Sequence, residues 1–115
     1  MKDFRDLDVL HAAHDLVVEI HDISQSFPND DAFGVTRAIA HAALSIPRSI
    51  VHACGRSSDA DLKQGLEQAS GYASELEYLM LLASEIGMVD DETLEELVVT
   101  LTEFKTRLSE ELGEL

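Results

Sequence analysis

Four side chains near the middle of the chain have the types and the spacing to hold an anion or a row of carboxylates. Arg37, His41, Arg48 and His52 recur at helical intervals. On a helix, at about 100° per residue, they fall within an arc of roughly 60°. They lie in a stretch from Gly34 to Ser57 that contains no Asp or Glu, in a chain whose formal net charge is -15. Arg56 closes the stretch. Such a stripe can contact an anion or RNA in a groove or a central channel. It can also be an electrostatic seam, answered by Glu75, Glu77 or other acids inside the fold or across a subunit interface. The seam is preferred, because the segment is otherwise apolar and buried cations are normally paired. Arg56, at the end of the segment, has a bland role open to it in satisfying terminal carbonyls.

Other chemistry is poorly supported. His11 and His14 are three residues apart and could chelate a metal with Asp15 or another helix. His21 lies two turns beyond His14, roughly 10 Å along a helix axis, too far to share one ion. Neither a His-Glu-x-x-His nor a Glu-x-x-His motif occurs. A solvated face with ordinary histidines is the expected arrangement, with no metal and no cofactor. Ser45 and Ser49 neighbour His41 and His52, but a nucleophile needs a base oriented by a third group, and the segment has no acid to serve. A serine within a helix more often bonds back to a carbonyl. No catalytic residue is assigned, and the chain is expected not to be an enzyme.

The elements that must position these residues read as four helices. The first runs from about Leu7 to Ser24, with Leu10, Ala13, Val17 and Ile20 at 3-4-3 spacing. Phe27-Pro28-Asn29-Asp30-Asp31 breaks it, since Pro28 disfavours helix at Phe27 and the Asn/Asp run favours a turn. The second runs from about Asp31 to Cys54. Ile39, Ala42, Ala43, Ile46, Ile50 and Ala53 form its apolar face, opposite the charged stripe. Pro47 removes one backbone donor and presses on the Ala43 carbonyl, so a kink is expected. Ser58 caps the third helix, which Gly87 ends. Leu62, Leu66, Ala69, Ala73, Leu76, Met80 and Ala83 form its heptad seam, and Leu79, Leu82 and Ile86 form a second one. Gly65 and Gly71 inside it each cost about 1 kcal/mol against Ala, which implies close approach by another helix. The fourth helix starts at Asp90 or Asp91, with its seam on Leu94, Leu97, Leu101, Phe104, Leu108 and Leu112. Glu110 and Glu111 oppose the helix dipole and are expected to weaken its last turn. Short connections between four amphipathic helices predict an all-α, antiparallel up-down-up-down bundle forming a single domain over residues 1–115.

Composition narrows the partners. A chain at -15 is repelled by nucleic-acid backbones and by anionic membranes. Direct nucleic-acid binding would need the basic stripe exposed, or a basic partner protein to supply the contacts. Cys54 is the only cysteine, and its small neighbours Ala53 and Gly55 suggest a buried thiol. Acids at the start, where a signal peptide needs an apolar run, and the lack of a long apolar stretch predict a cytoplasmic protein.

With the helices placed, the chain resembles the four-helix-bundle proteins encoded within 23S ribosomal RNA intervening sequences, the S23 family. The carriers are Phe27-Pro28, Phe33-Gly34-Val35, Ala42-Ala43-Leu44-Ser45-Ile46-Pro47 with Ile50, Gly55-Arg56-Ser57, and Ala69-Ser70-Gly71 leading to Glu75-Leu76-Glu77. The resemblance implies a bacterial bundle, assembly as a homopentamer in several members, and a biochemical role that is largely unassigned. It also implies kinship with the basic accessory protein of diversity-generating retroelements, which binds nucleic acid. The chain departs from the pattern at the family's usual Asn-Ile-Ala-Glu-Gly run, where it has Ser49, Ile50, Val51, His52 and Ala53. The usual upstream Gln and Arg correspond to Ala38 and His41. No functional residue is carried over there, and the acidity argues against transferring nucleic-acid binding.

A second apolar seam on the third helix and the apolar breadth of the second exceed what one four-helix core needs. The expected protein is therefore a self-associating scaffold, a homo-oligomer and, on the resemblance, a pentamer. The alternative is a nucleic-acid-binding accessory subunit working through Arg37, Arg48 and Arg56.

Overall fold

The computed structural model describes residues 3–29, 32–56 and 58–115. Asp30, Asp31 and Ser57, which figure in the expected turns and family motifs, lie outside the described residues. Four helices carry the fold: α1 (Asp8–Ser24), α2 (Val35–Cys54), α3 (Asp59–Glu85) and α4 (Asp91–Gly113). Among the described residues there is no strand.

Local chemistry sets most of the boundaries. A 3-10 turn at Phe4–Asp6, which periodicity does not reveal, precedes α1. Asp3 caps that turn, its carboxylate accepting from the Arg5 N–H at 3.0 Å. α2 begins at Val35, later than the Asn/Asp run suggests, because Phe33 and Gly34 adopt left-handed φ of 65° and 70° just before it. A left-handed residue cannot continue a right-handed helix. α2 then runs unbroken through Pro47, so the expected kink does not interrupt the helix. Ser58 caps α3, accepting from the Asp61 N–H at 3.1 Å while its hydroxyl donates to the Asp61 carboxylate at 2.9 Å. The pair forms one half of a capping box, the Asp61 carboxylate taking the Ser58 hydroxyl rather than its backbone N–H. α4 keeps its helical form to Gly113 despite the acids in its last turns.

Asp90 caps α4 and accepts from the Thr93 N–H at 2.7 Å. Hydrogen bonds from the Thr93 side chain and backbone hold its carboxyl below the usual aspartate range. A group whose folded-state affinity for protons is depressed stabilises the fold above the unfolded carboxylate range. That contribution disappears as pH falls through the folded value. Asp90→Ala is therefore expected to lower the melting temperature near neutral pH, with the gap to the parent chain shrinking as pH falls through and below the usual aspartate range. A gap that stays constant with pH would contradict this account of the cap.

The helices pack in chain order around one core, α1 on α2, α2 on α3, α3 on α4 and α4 on α1. The diagonal pairs, α1 with α3 and α2 with α4, make no close backbone approach among the described residues. The result is the up-down-up-down bundle, 43 × 22 × 19 Å in extent. The antiparallel course of α2 and α3 shows in their register, with Gly65 against Ser49 and Ala53, and Tyr72 against His41. Leu16, Ile46, Leu66, Leu76, Met80 and Leu101 are wholly buried at its centre. Cys54 is buried as well.

The two glycines of α3 part company. A Cβ on Gly65 would lie 2.3 Å from the Ala53 Cβ and 2.8 Å from the Ser49 carbonyl oxygen. The expected close approach is met there. Gly71 is exposed, with nothing within 4 Å of where its Cβ would stand, so the same expectation fails at that position.

Candidate functional site

The buried face of α2 is built by Val35, Ile39, Ala42, Ile46, Ile50 and Ala53. Helical geometry then turns Arg37, His41, Leu44, Arg48 and His52 to the opposite side, and all five are exposed. His41, Arg48 and His52 form no ion pair with a described residue. Glu77, one of the carboxylates expected to answer them, is taken by Lys105 of α4 at 2.6 Å. Glu75 is exposed and pairs with none of them. Arg56 reaches the Asp61 carboxylate at 3.4 Å. Exposed pairs of that kind stabilise little, about 0–1 kcal/mol.

An open groove of about 680 Å³ separates the stripe from α3, lined by His41, Leu44, Arg48, His52, Gln68 and Tyr72 among others, with no carboxylate in its wall. The His41 ring meets Tyr72 edge-on, with centroids 6.3 Å apart and planes at 76°. Edge-to-face contact at this distance is within the favourable range for aromatic pairs. Ser45 and Ser49 also border the groove, but their hydroxyls donate to the carbonyls of His41 and Ser45 at 2.7 and 2.8 Å. Their protons are committed to the helix backbone, as expected of serines in a helix.

On the other flank of α2 a second groove, about 510 Å³, runs between α2, α1 and the N-terminal 3-10 turn. It is lined by Phe4, Arg5, Leu10, His11, His14 and Asp15, and it shares Pro47 and Val51 with the first groove. His11 Nε2 lies 2.8 Å from the Arg5 carbonyl oxygen, an acceptor, so that nitrogen carries the proton and donates. The Arg5 guanidinium sits 5.3 Å from the centre of the Phe4 ring, within cation–π range. Among the described residues no group of three or more His, Cys, Asp or Glu side chains is arranged to hold a metal ion. The sequence treats His11 and His14 as a separate face of α1. The structure puts them beside the same α2 ridge as Arg48 and His52. Nothing in the linear spacing signals this, because it depends on how α1 is rotated against α2.

The model of the 23S rRNA-intervening sequence proteins matches residues 5–110. This chain belongs to that family. The match spans all of α1, α2 and α3 and α4 as far as Glu110, and it takes in every lining residue of the two grooves except Phe4. A solved member of the S23 ribosomal protein family from Bacteroides thetaiotaomicron VPI-5482, a protein with unknown function, is similar in fold with a TM-score of 0.81. It is 24% identical, over 90% of this chain and 97% of its own. No curated protein matches the chain at a significant level. No described helix is long and apolar enough to cross a membrane.

Proposed function

We propose that this intervening-sequence family protein is a non-catalytic, cytoplasmic scaffold that self-associates, a ring of five being the expected assembly, and that the outer edge of α2 is its contact surface. One observation carries the reading. The acid-free edge of a chain at -15 stands exposed, with no carboxylate among the described residues answering His41, Arg48 or His52. Leu44, in the middle of that edge, is 50% exposed. An aliphatic side chain set between an imidazole and a guanidinium on an acidic molecule suits an acidic protein surface, and every further copy of this chain brings one. A non-catalytic role is supported by the engagement of both groove serines with backbone carbonyls.

Light scattering at micromolar concentration is expected to give a mass several times that of the 12.6 kDa chain. The mass should fall as salt is raised, since charge contacts at an exposed edge are screened. A stable monomer at low salt refutes the proposal.

The exposure of Arg37, Arg48 and Arg56 is what a nucleic-acid-binding accessory subunit also requires. Against it, Asp61 already neutralises Arg56, and the molecule as a whole repels phosphates. A salt-sensitive gel shift of structured RNA would replace the scaffold reading with this one.

A further inference from the structure

α4 carries an outward stripe that its own core does not explain. Glu92, Glu96, Val99, Glu103, Thr106 and Glu110 follow each other at 4-3-4-3-4 spacing, and all six are exposed. On a helix they form a ridge within an arc of about 80°. Val99 is 58% exposed in the middle of it. The outer edge of α2 repeats the same spacing with opposite charge, as Arg37, His41, Leu44, Arg48 and Val51. Each ridge has one exposed aliphatic residue flanked three positions before and four positions after by charge or imidazole. On α2, His41 and Arg48 flank Leu44. On α4, Glu96 and Glu103 flank Val99. None of these four flanking residues forms an ion pair with a described residue. Arg107 is the cation bordering the acidic ridge, while Lys105 is held by Glu77.

The two ridges cannot meet within one molecule. α2 and α4 are a diagonal pair, so their outer faces lie on opposite corners of the bundle. Between two molecules nothing separates them.

We infer that the α4 ridge of one copy docks on the α2 ridge of the next, with Leu44 against Val99 and the His41/Arg48 pair facing the Glu96/Glu103 pair. This rests on the self-association reading and gives it a specific surface. The charged flanks stand symmetrically about each aliphatic, so parallel and antiparallel docking both oppose unlike groups. A matched 4-3 spacing lets the side chains of two helices interleave along a common seam. The acid-free edge is also the part of the surface where another copy's carboxylates meet the least repulsion. The two patches are different, so the contact is heterologous. Every added copy presents a fresh α2 ridge or a fresh α4 ridge, and the array closes into a ring when the rotation per step allows.

Reversing either ridge tests this, with the mass in solution measured by sedimentation and folding checked by helical circular dichroism. His41→Glu with Arg48→Glu, and separately Glu96→Lys with Glu103→Lys, are each expected to weaken association by about 100-fold or more, leaving folded chains of 12.6 kDa. The chain carrying all four substitutions again opposes unlike charges and is expected to recover the parent mass. Its recovery also excludes misfolding as the cause of the losses. A parent chain that is itself monomeric removes the scaffold reading and this inference together. An oligomeric parent whose mass survives both reversals, or is not recovered by the fourfold variant, overturns the docking assignment alone.

Discussion

Truncating Phe104 to Ala is expected to lower the unfolding free energy by about 3–5 kcal/mol. Phe104 is 1% exposed and is the largest of the fully buried side chains. It lies on the buried face of α4 with Leu97, Leu101 and Leu108. Much of the rest of the core is alanine: Ala13, Ala42, Ala53, Ala69, Ala73 and Ala83 are all buried. Those short side chains hold the helix backbones close together and have no reach with which to fill a void. The cavity left by the ring therefore persists, and its lining loses dispersion contacts as well as burial. A domain of this kind is stable by only about 5–15 kcal/mol, so the loss is a large share of the total. Urea unfolding at fixed protein concentration is the measurement. With a slope of about 2 kcal/mol/M, the midpoint should fall by about 1.5–2.5 M at unchanged slope. A midpoint that does not move would show that the core closes around the truncated side chain.

Gly65→Ala is expected to cost about 1–3 kcal/mol, although alanine is the better helix former. The new Cβ would meet the Ala53 Cβ at 2.3 Å and the Ser49 carbonyl oxygen at 2.8 Å. Neither is the end of a flexible side chain, so relief requires α2 and α3 to separate. The helix-propensity gain of about 1 kcal/mol only offsets part of this. Gly71→Ala adds the same methyl group to the same helix, where nothing lies within 4 Å of it. There the propensity gain acts alone, and stability should rise by about 0.5–1 kcal/mol. The paired prediction is a difference of sign in the shift of the melting temperature. Equal shifts for the two variants would mean that Gly65 is not clasped by α2.

These two glycines show where a chain stops being legible. Both interrupt the same heptad pattern, and both look like contact points when read along α3. Helix geometry separates them, since at about 100° per residue Gly71 points roughly 180° away from Leu62 and Met80 of the seam and Gly65 only about 60°; what clasps Gly65 is decided by the register of α3 against α2. The cationic stripe likewise leaves the choice of partner to the tertiary structure. Its residues share one face of α2 as their spacing requires, but the carboxylate expected to answer it, on Glu77, belongs to a different contact, with Lys105. Buried cations are normally paired, and that argument loses its force once the stripe is seen to be exposed. The acidic ridge of α4 was legible in principle, since Glu92, Glu96, Glu103 and Glu110 are regularly spaced.

Helix periodicity, the cap at Ser58, the start of α4 at Asp90 or Asp91, the stop at Gly87, the all-α bundle and the family kinship can be read from the chain alone. They depend on neighbours three and four residues apart and on the short-range chemistry of turns, which the order of residues specifies directly. The clasp at Gly65, the partner of Glu77, the outward turn of the Arg48 edge and the diagonal separation of the two charged ridges came only with the folded molecule. Each depends on how helices are rotated and registered against one another, and that is settled by packing summed over the whole core rather than by any one segment.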